Sequence, residues 1–242
     1  MEEIKPALYI IATPIGNLED ISFRAIKILS GVDCVLAEDT RKTGLLLSHY
    51  NVTGKKMISF YSYVEKRRIP DIISNIKQGE SYGLVTDAGT PGISDPAYSI
   101  IRACVDEGIE VIHIPGASAV LTALIVSGLP CERFIFEGFL PVKKGRQTRL
   151  KKLKEEERTI VIYESNHRII KTITELYEHF GNREAAICRE LTKKFEEVIR
   201  GPLNEIIAKL DGMKTLGEFV VVIAGTDYRS GNKEEGGNGL EP

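Results

Sequence analysis

The stretch that decides the fold lies between an apolar run at 82–85 and a segment from residue 97 with helical apolar spacing; it reads Thr86-Asp87-Ala88-Gly89-Thr90-Pro91-Gly92-Ile93-Ser94-Asp95-Pro96. Loops at the carboxyl ends of strands are where open α/β sheets bind ligands. Its two glycines, Gly89 and Gly92, lack Cβ atoms, so the backbone can approach a ligand closely or take a positive φ. We therefore predict a ligand-binding loop. For this loop alone, a well-made turn with Asp95 as the helix cap is the simpler alternative.

The same succession of strand, loop and helix occurs on both sides of this turn. Apolar runs at 7–12, 32–37, 56–61 and 110–114 predict further strands, and segments with helical spacing separate them. This alternation predicts a mostly parallel sheet with helices on both faces. Two more loops of small residues follow predicted strands, at 13–17 and 115–119.

The composition changes at residues 128–133, and we place a domain boundary there. Strands predicted at 134–140, 158–163, 184–191 and 218–224, with helices at 168–180 and 202–210, indicate a second, mixed α/β domain. The predicted organisation is an amino-terminal domain at 1–128, a carboxyl-terminal domain at 129–229 and a tail at 230–242. The tail is expected to be disordered, because it is rich in glycine and glutamate and nearly devoid of apolar residues.

Composition limits the class of protein. The chain has 242 residues and a formal net charge of -2, so it has no global basic signature for nucleic acid, although a local patch would suffice. No apolar stretch is long enough to span a bilayer, and we expect a cytoplasmic protein without a membrane partner. The cysteines are widely spaced and have no CxxC pair, which predicts buried free thiols and no metal site: Cys34, Cys104, Cys131 and Cys188.

The three small-residue loops leave room for an adenosyl-type ligand, with backbone groups supplying hydrogen bonds. Each loop alone is an ordinary connection in an α/β sheet. Only the three loops together indicate a ligand-binding site. The chain has neither G-x-G-x-x-G nor G-x-x-x-x-G-K-[ST]. Dinucleotide binding and P-loop phosphate transfer are therefore unsupported.

Together these motifs resemble the tetrapyrrole methylase superfamily of S-adenosylmethionine-dependent enzymes. The matching pieces lie at 12–21, 37–41, 86–96, 115–119, 136–141, 163–168 and 189–193. Within the superfamily, the chain is similar to the branch that methylates the ribose 2'-oxygen of a cytidine in the decoding region of small-subunit (16S) rRNA. The resemblance implies two α/β domains of the class III methyltransferase type, with the cofactor in the cleft between them, and usually a homodimer.

The resemblance also implies a set of cofactor-binding residues. The first domain would supply Pro14, Ile15, Gly16, Gly89, Thr90, Ile93, Ser118 and Ala119. The second domain would close the cleft with Tyr163, Leu191 and Thr192. Many tetrapyrrole methylases have Gly-Asp-Pro in the second loop, whereas this chain has Gly-Thr-Pro, as the ribosomal branch does. This departure argues against a tetrapyrrole substrate and makes Asp87 a possible substitute polar group at the cofactor.

The catalytic residues stay open at this stage. A ribose hydroxyl is a poor nucleophile while protonated, so a nearby proton acceptor would accelerate the reaction. The candidates at or beside predicted strand ends are Glu38, Asp39, Arg41, Glu164 and Lys193. For the first three, a salt-bridged helix start is an equal alternative, because Asp39 can cap the following helix.

Basic and aromatic side chains suggest where RNA would bind. Arg41 and the basic segment 143–154 are the candidates for phosphate contact, the segment through Lys143, Lys144, Arg146 and Arg149. An ordinary exposed helix face is an equal alternative for that segment. Tyr61 and Tyr63 are expected to pack, with base stacking as the alternative.

Three functions compete. The leading hypothesis is an S-adenosylmethionine-dependent ribose 2'-O-methyltransferase acting on small-subunit rRNA or on the assembled small ribosomal subunit. The second is a tetrapyrrole C-methyltransferase acting on a precorrin or a uroporphyrinogen. The third is a non-catalytic module that binds an adenosine-containing ligand and regulates a partner.

Overall fold

The computed structural model describes residues 4–95, 97–212 and 216–228, and the predicted tail at 230–242 lies outside them. The described chain forms two compact units, one made of residues up to 122 together with 191–194, and the other made of the rest. Each unit contains a five-stranded sheet. The domain boundary proposed after residue 128 stays a prediction.

The first unit is built on a parallel sheet. Its strands run in the order β3-β2-β4-β1-β5: β1 (Leu8–Ile11), β2 (Cys34–Ala37), β3 (Lys56–Ser59), β4 (Tyr82–Val85) and β5 (Val111–Ile114). The helices that alternate with them are α1 (Phe23–Gly31), α2 (Thr40–His49), α3 (Glu65–Lys77) and α4 (Tyr98–Asp106), and α5 (Ala119–Ser127) follows β5.

Strand β1 explains why helices cover both faces of this sheet. All four of its residues are buried. Leu8 and Ile10 pack in a core with side chains of α3 and α4, whereas Tyr9 and Ile11 pack in a second core with side chains of α1. Successive side chains of a strand point to opposite faces, so an uninterrupted apolar run requires cover on each side. The predicted parallel sheet with helices on both faces is confirmed.

The second unit contains a mixed sheet in the order β6-β7-β10-β8-β9. Strands β6 and β7 are parallel and the other neighbours are antiparallel: β6 (Phe134–Phe139), β7 (Thr159–Ser165), β8 (Glu184–Arg189), β9 (Glu197–Pro202) and β10 (Glu218–Ile223). One core contains side chains of this sheet and of three helices, α6 (Arg146–Leu153), α7 (Ile169–Phe180) and α8 (Leu203–Leu210). The basic segment after residue 142 therefore supplies helix α6.

Two local expectations are wrong. Helix α4 has Ala97 at its N-cap and no side-chain capping hydrogen bond, so Asp95 does not cap it. Cys131 is exposed, while Cys34, Cys104 and Cys188 are buried free thiols as predicted. Burial raises the pKa of the Cys34 and Cys104 thiols to about 11 and that of Cys188 to about 12, which keeps them protonated near neutral pH.

Across residues 4–95, 97–212 and 216–228, the structure contains no helix long and apolar enough to cross a membrane.

Candidate active site

The three small-residue loops of the first unit meet at one edge of its sheet. They follow β1, β4 and β5, and β1 lies between the other two strands. Because the strands are parallel, their carboxyl ends lie at the same edge. After β1 the chain continues to β2 and β3, which lie on one side of β1 in the sheet. After β4 it crosses β1 to form β5 on the other side of β1. A reversal of this kind is where open α/β sheets form a ligand crevice.

Hydrogen bonds join the loops to one another. The Thr13 N–H donates to the Gly89 carbonyl at 2.9 Å, and the Gly89 N–H donates back to the Thr13 carbonyl at 3.1 Å. The Thr90 hydroxyl donates to the Ala117 carbonyl at 3.3 Å. Backbone groups from all three loops are thereby held in one arrangement, which a preorganised binding site requires.

Small residues are sterically required at this edge. Gly89 has a φ of +81°, and a Cβ added there would lie 3.4 Å from Ile15 Cγ2. A Cβ added at Gly116 would lie 3.0 Å from the Cβ of Ala12. These positions keep backbone and small side chains at the crevice, a lining that fits an adenosyl-type ligand. Of the other residues implied for the cofactor here, Pro14 is buried, Ile93 is half exposed, and Ser118 and Ala119 lie at the start of α5.

Residues 191–194 lie far along the sequence but belong to the first unit. The Asn17 N–H donates to the Thr192 hydroxyl at 3.1 Å. A Cβ added at Gly16 would overlap Lys193 Cγ, so this segment covers the first loop at close range. Thr192 has a φ of +66°, an unusual backbone conformation for a β-branched residue that is found preferentially at functional sites. The structure therefore places Thr192 and Lys193 beside Gly16.

Asp39 and Arg41 form a salt-bridged helix start. The Asp39 carboxylate accepts a hydrogen bond from the Arg41 N–H at 2.9 Å and caps α2. It also pairs with the Arg41 guanidinium at 2.7 Å, which holds the pKa of Asp39 well below its usual range. A carboxylate held ionised in this way is a weak proton acceptor. The Arg41 side chain itself is 88% exposed.

Three other carboxylates lie near the ends of β2 and β4. Asp87 pairs with Lys42 at 2.6 Å, and its N–H lies 3.4 Å from Glu38 Oε2. Burial and the neighbouring Glu38 and Asp87 charges together raise the pKa of Asp95 to about 6, against the opposing effect of a hydrogen bond from Thr86. Nothing in the sequence indicated this environment for Asp95, which was interpreted as a helix cap.

Glu164 of the second unit is a structural carboxylate. Its side chain is fully buried and pairs with Arg168 at 2.7 Å. It also accepts hydrogen bonds from the Ser165 N–H and the Thr172 hydroxyl, each at 2.7 Å. Both oxygens are engaged in this buried network, and the role of Glu164 as a proton acceptor stays a prediction.

Arg146 belongs to the same buried network. Its guanidinium pairs with Glu175 at 2.7 Å and donates to the Pro141 carbonyl at 3.1 Å and to the Thr172 hydroxyl at 2.7 Å. Only 4% of the residue is exposed. This placement contradicts the expectation that Arg146 contacts RNA phosphate, because the surface of α6 does not present it.

The other residues predicted in the second unit are more accessible. Lys143 and Lys144 are exposed, and Arg149 is half exposed while pairing with Glu137 at 2.5 Å. Tyr163, in β7, packs edge-on against Phe136 with ring centroids 4.9 Å apart. Their roles stay predictions.

A parallel sheet with three hydrogen-bonded loops of small residues at its carboxyl edge, in a chain that also has a mixed sheet, defines a two-unit α/β ligand-binding protein. The chain belongs to the tetrapyrrole methylase family: the family model described as Tetrapyrrole (Corrin/Porphyrin) Methylases matches residues 7–207.

Relatives place the chain more narrowly. It is 47% identical over 220 residues to the protein named Ribosomal RNA small subunit methyltransferase I of Thermotoga maritima, covering 91% of this chain and 99% of the relative. The protein of that name from Escherichia coli O157:H7 is 41% identical over 222 residues, covering 90% and 77%. The resemblance drawn from the sequence motifs is confirmed.

Solved structures share the fold at low identity. A diphthine synthase superposes with a TM-score of 0.69 at 16% identity, covering 90% of this chain and 89% of that one. The uroporphyrin-III C-methyltransferase of Thermus thermophilus, solved as a complex with S-adenosylhomocysteine, has a TM-score of 0.60 at 15% identity, covering 89% and 96%. These likenesses confirm the α/β fold of the family.

Proposed function

We propose that this chain transfers a methyl group from S-adenosylmethionine to the ribose 2'-hydroxyl of a cytidine in small-subunit rRNA. The observation that carries the proposal is its 41–47% identity, over nine-tenths of the chain, to proteins named Ribosomal RNA small subunit methyltransferase I. The bonded loops at the carboxyl edge of the first sheet support it. The similarity to uroporphyrin-III methyltransferases is 15–17% and concerns the fold alone, so no observation favours a tetrapyrrole substrate.

The residues that would hold the cofactor are those of the three loops and of the segment at 191–194. When bound, S-adenosylmethionine supplies a methyl group that its sulfonium already makes electrophilic. Gly16 leaves room for Lys193 and Thr192 beside the first loop, Gly89 supplies the positive φ of the second loop, and Thr192 accepts a hydrogen bond from the Asn17 N–H. The complex of the Thermus thermophilus structure with S-adenosylhomocysteine supports this cofactor. Asp87 and Tyr163 remain proposed contacts.

The chain's own contribution is to orient the hydroxyl and to accept its proton. Orientation in line with the breaking bond can supply about 7–11 kcal/mol of the barrier. Among carboxylates of the first unit, Asp39 is committed to Arg41 and Asp87 to Lys42. We assign proton acceptance to Asp95, which lies in the loop after β4 near Glu38 and Asp87, with Glu38 as the second candidate.

Methyl transfer from labelled S-adenosylmethionine tests the proposal. The purified chain should label small ribosomal subunits or small-subunit rRNA, and nucleoside mass spectrometry should find 2'-O-methylcytidine. An RNA with deoxycytidine at the target should stay unlabelled. Protein that binds the cofactor yet labels neither RNA substrate would exclude the proposal, and labelling of uroporphyrinogen instead would select the tetrapyrrole alternative.

We also propose a homodimer in the cytoplasm, where the rRNA substrate would be found. Support for the dimer comes from α5, an almost wholly apolar helix in which Leu121 is 52% exposed and Ile125 is 73% exposed. These side chains lie four residues apart on one helix face, and a second copy would bury them. Light scattering should give twice the chain mass for the wild type and the monomer mass for Leu121→Asp/Ile125→Asp. A monomeric wild type would contradict the dimer.

A further inference from the structure

Two tyrosines near the ligand-binding edge of the first unit are left open to solvent. Tyr63 is 94% exposed and Tyr98 is 74% exposed. Tyrosine rings usually bury most of their apolar surface. The expectation that Tyr63 packs is wrong, because the structure leaves its side chain almost wholly exposed.

The two rings project from neighbouring points. Tyr63 lies two residues before α3, and Tyr98 is the first residue of α4. The Ser99 hydroxyl donates to Glu65 Oε1 at 3.1 Å, so the beginnings of α3 and α4 are in contact. The turn before α3 is anchored, since the N–H groups of Val64 and Glu65 both donate to the Tyr61 carbonyl. These features hold both tyrosines at the edge that carries the loop after β4.

Exposed cations lie on the same helix as Tyr63 and on a neighbouring helix. Lys66 and Arg67 are exposed in the first turn of α3. Arg41 and Lys42 are exposed at the start of α2, where they pair with Asp39 and Asp87, and the preceding strand β2 lies between β3 and β4. Exposed aromatic rings among cations are what proteins use to hold unpaired nucleotides, with bases stacked on the rings and phosphates near the cations.

We propose that Tyr63 and Tyr98 stack on unpaired bases of the RNA, adjacent to the nucleotide that is methylated. The inference rests on the proposed function and adds where the RNA strand lies on the protein. The occupant is single-stranded RNA, because the faces of bases in an A-form duplex are already stacked on each other. The two tyrosines act as substrate-positioning residues.

Paired substitutions test the stacking. Tyr63→Ala/Tyr98→Ala should raise the Kd for a small-subunit rRNA fragment by at least about 30-fold, because removing each base-stacking ring usually costs about 5- to 150-fold. The KM for RNA should rise while kcat changes less than about twofold, since the reacting groups are untouched. Tyr63→Phe/Tyr98→Phe should keep wild-type affinity. Tyr177→Ala, which removes an exposed tyrosine of α7 in the second unit, is the matched control and should change nothing.

A fluorescence readout makes the test independent of turnover. The chain has no tryptophan, so Tyr63→Trp introduces a single indole. Adding the RNA fragment should quench its emission, whereas Tyr177→Trp should stay bright. Tyr63→Trp should keep the wild-type unfolding temperature, because Tyr63 is 94% exposed, and both variants should keep the wild-type cofactor affinity.

The outcomes separate this inference from the proposed function. Wild-type RNA affinity in the double alanine variant, or an unquenched Tyr63→Trp, would overturn the stacking. A loss confined to assembled subunits, with naked RNA bound normally, would also overturn it, because it would indicate a protein contact. Failure of the wild-type chain to methylate any RNA would remove the proposed function, while the RNA affinities would still decide whether the tyrosines stack.

Discussion

At the residue scale, Asp95 shows how surroundings set the chemistry of a side chain. Its sequence position, before a proline and a helix, is typical of a cap, but the structure places it partly buried near Glu38 and Asp87. Desolvation disfavours its ionised form, and the two negative charges add to that effect. Perturbed carboxyl groups of this kind are concentrated at functional sites, and Asp95 lies in the loop that the sequence already indicated.

Asp95→Asn should stabilise the protein in a pH-dependent way. The pKa of Asp95 is about 6 in the folded state against an ordinary value of 3.8, so folding binds its proton more tightly. The wild type therefore loses stability from this group as pH rises from about 4 to about 6, whereas asparagine does not titrate. Measured by denaturant unfolding, the variant should gain about 1–2 kcal/mol more over the wild type at pH 7 than at pH 4.

An equal difference between variant and wild type at both pH values would contradict this account of Asp95. The proposed catalytic role has its own readout, because Asp95→Asn should also lower methyl transfer while leaving cofactor affinity unchanged.

At the element scale, the loop after β4 depends on one backbone conformation. Gly89 has a φ of +81° and exchanges two hydrogen bonds with Thr13. This short bridge joins the ends of β4 and β1 at the point where the ligand is proposed to bind. An L-residue at Gly89 would meet both the strained conformation and Ile15.

Gly89→Ala should cost about 1–2 kcal/mol of stability for the positive φ and should also weaken binding of S-adenosylhomocysteine. Gly108→Ala is the matched control, since Gly108 has a φ of +67° with nothing within 4 Å of an added Cβ. Chemical unfolding should show similar losses for both variants, and calorimetry should show weaker binding only for Gly89→Ala. Equal ligand affinity in the two variants would mean that the ligand lies elsewhere.

At the scale of the whole molecule, charge is distributed rather than concentrated. The net charge is only -2, yet Lys143 and Lys144 lie exposed in the turn that leads into α6. With Arg146 committed to Glu175, these two lysines are the strongest remaining candidates for phosphate contact in the second unit. Their contribution would appear in the salt dependence of RNA binding.

Lys143→Gln/Lys144→Gln should weaken RNA binding and make it less sensitive to salt. Each lost phosphate contact lowers the slope of log K against log salt by about 0.7 for single strands, so two contacts lower it by about 1.4. Lys5→Gln/Lys77→Gln is the control, because Lys5 precedes β1 and Lys77 ends α3, both at the opposite edge of the first sheet. A slope equal to that of the wild type would mean that the segment at 143–154 is an ordinary exposed surface that does not contact RNA phosphate.

The sequence by itself determined the order of strands and helices, the two kinds of sheet, the three loops and the family. Apolar runs such as Leu8–Ile11 carry this information locally, because a strand covered on both faces must be apolar at every position. The backbone conformations of Gly89 and Gly92 were also readable, since both take the positive φ that a glycine allows.

Only the tertiary structure decided which charged and aromatic side chains are available. Arg146 lies in a basic run but is buried against Glu175 and Thr172, while Tyr63 follows an apolar strand but is exposed. Glu38 contributes to the raised pKa of Asp95. The need for glycine at position 16 comes from Lys193, which is far away in the chain. The physical reason is common to all of them: exposure and ionisation are set by partners that folding brings from distant parts of the sequence, and local patterns do not contain those partners.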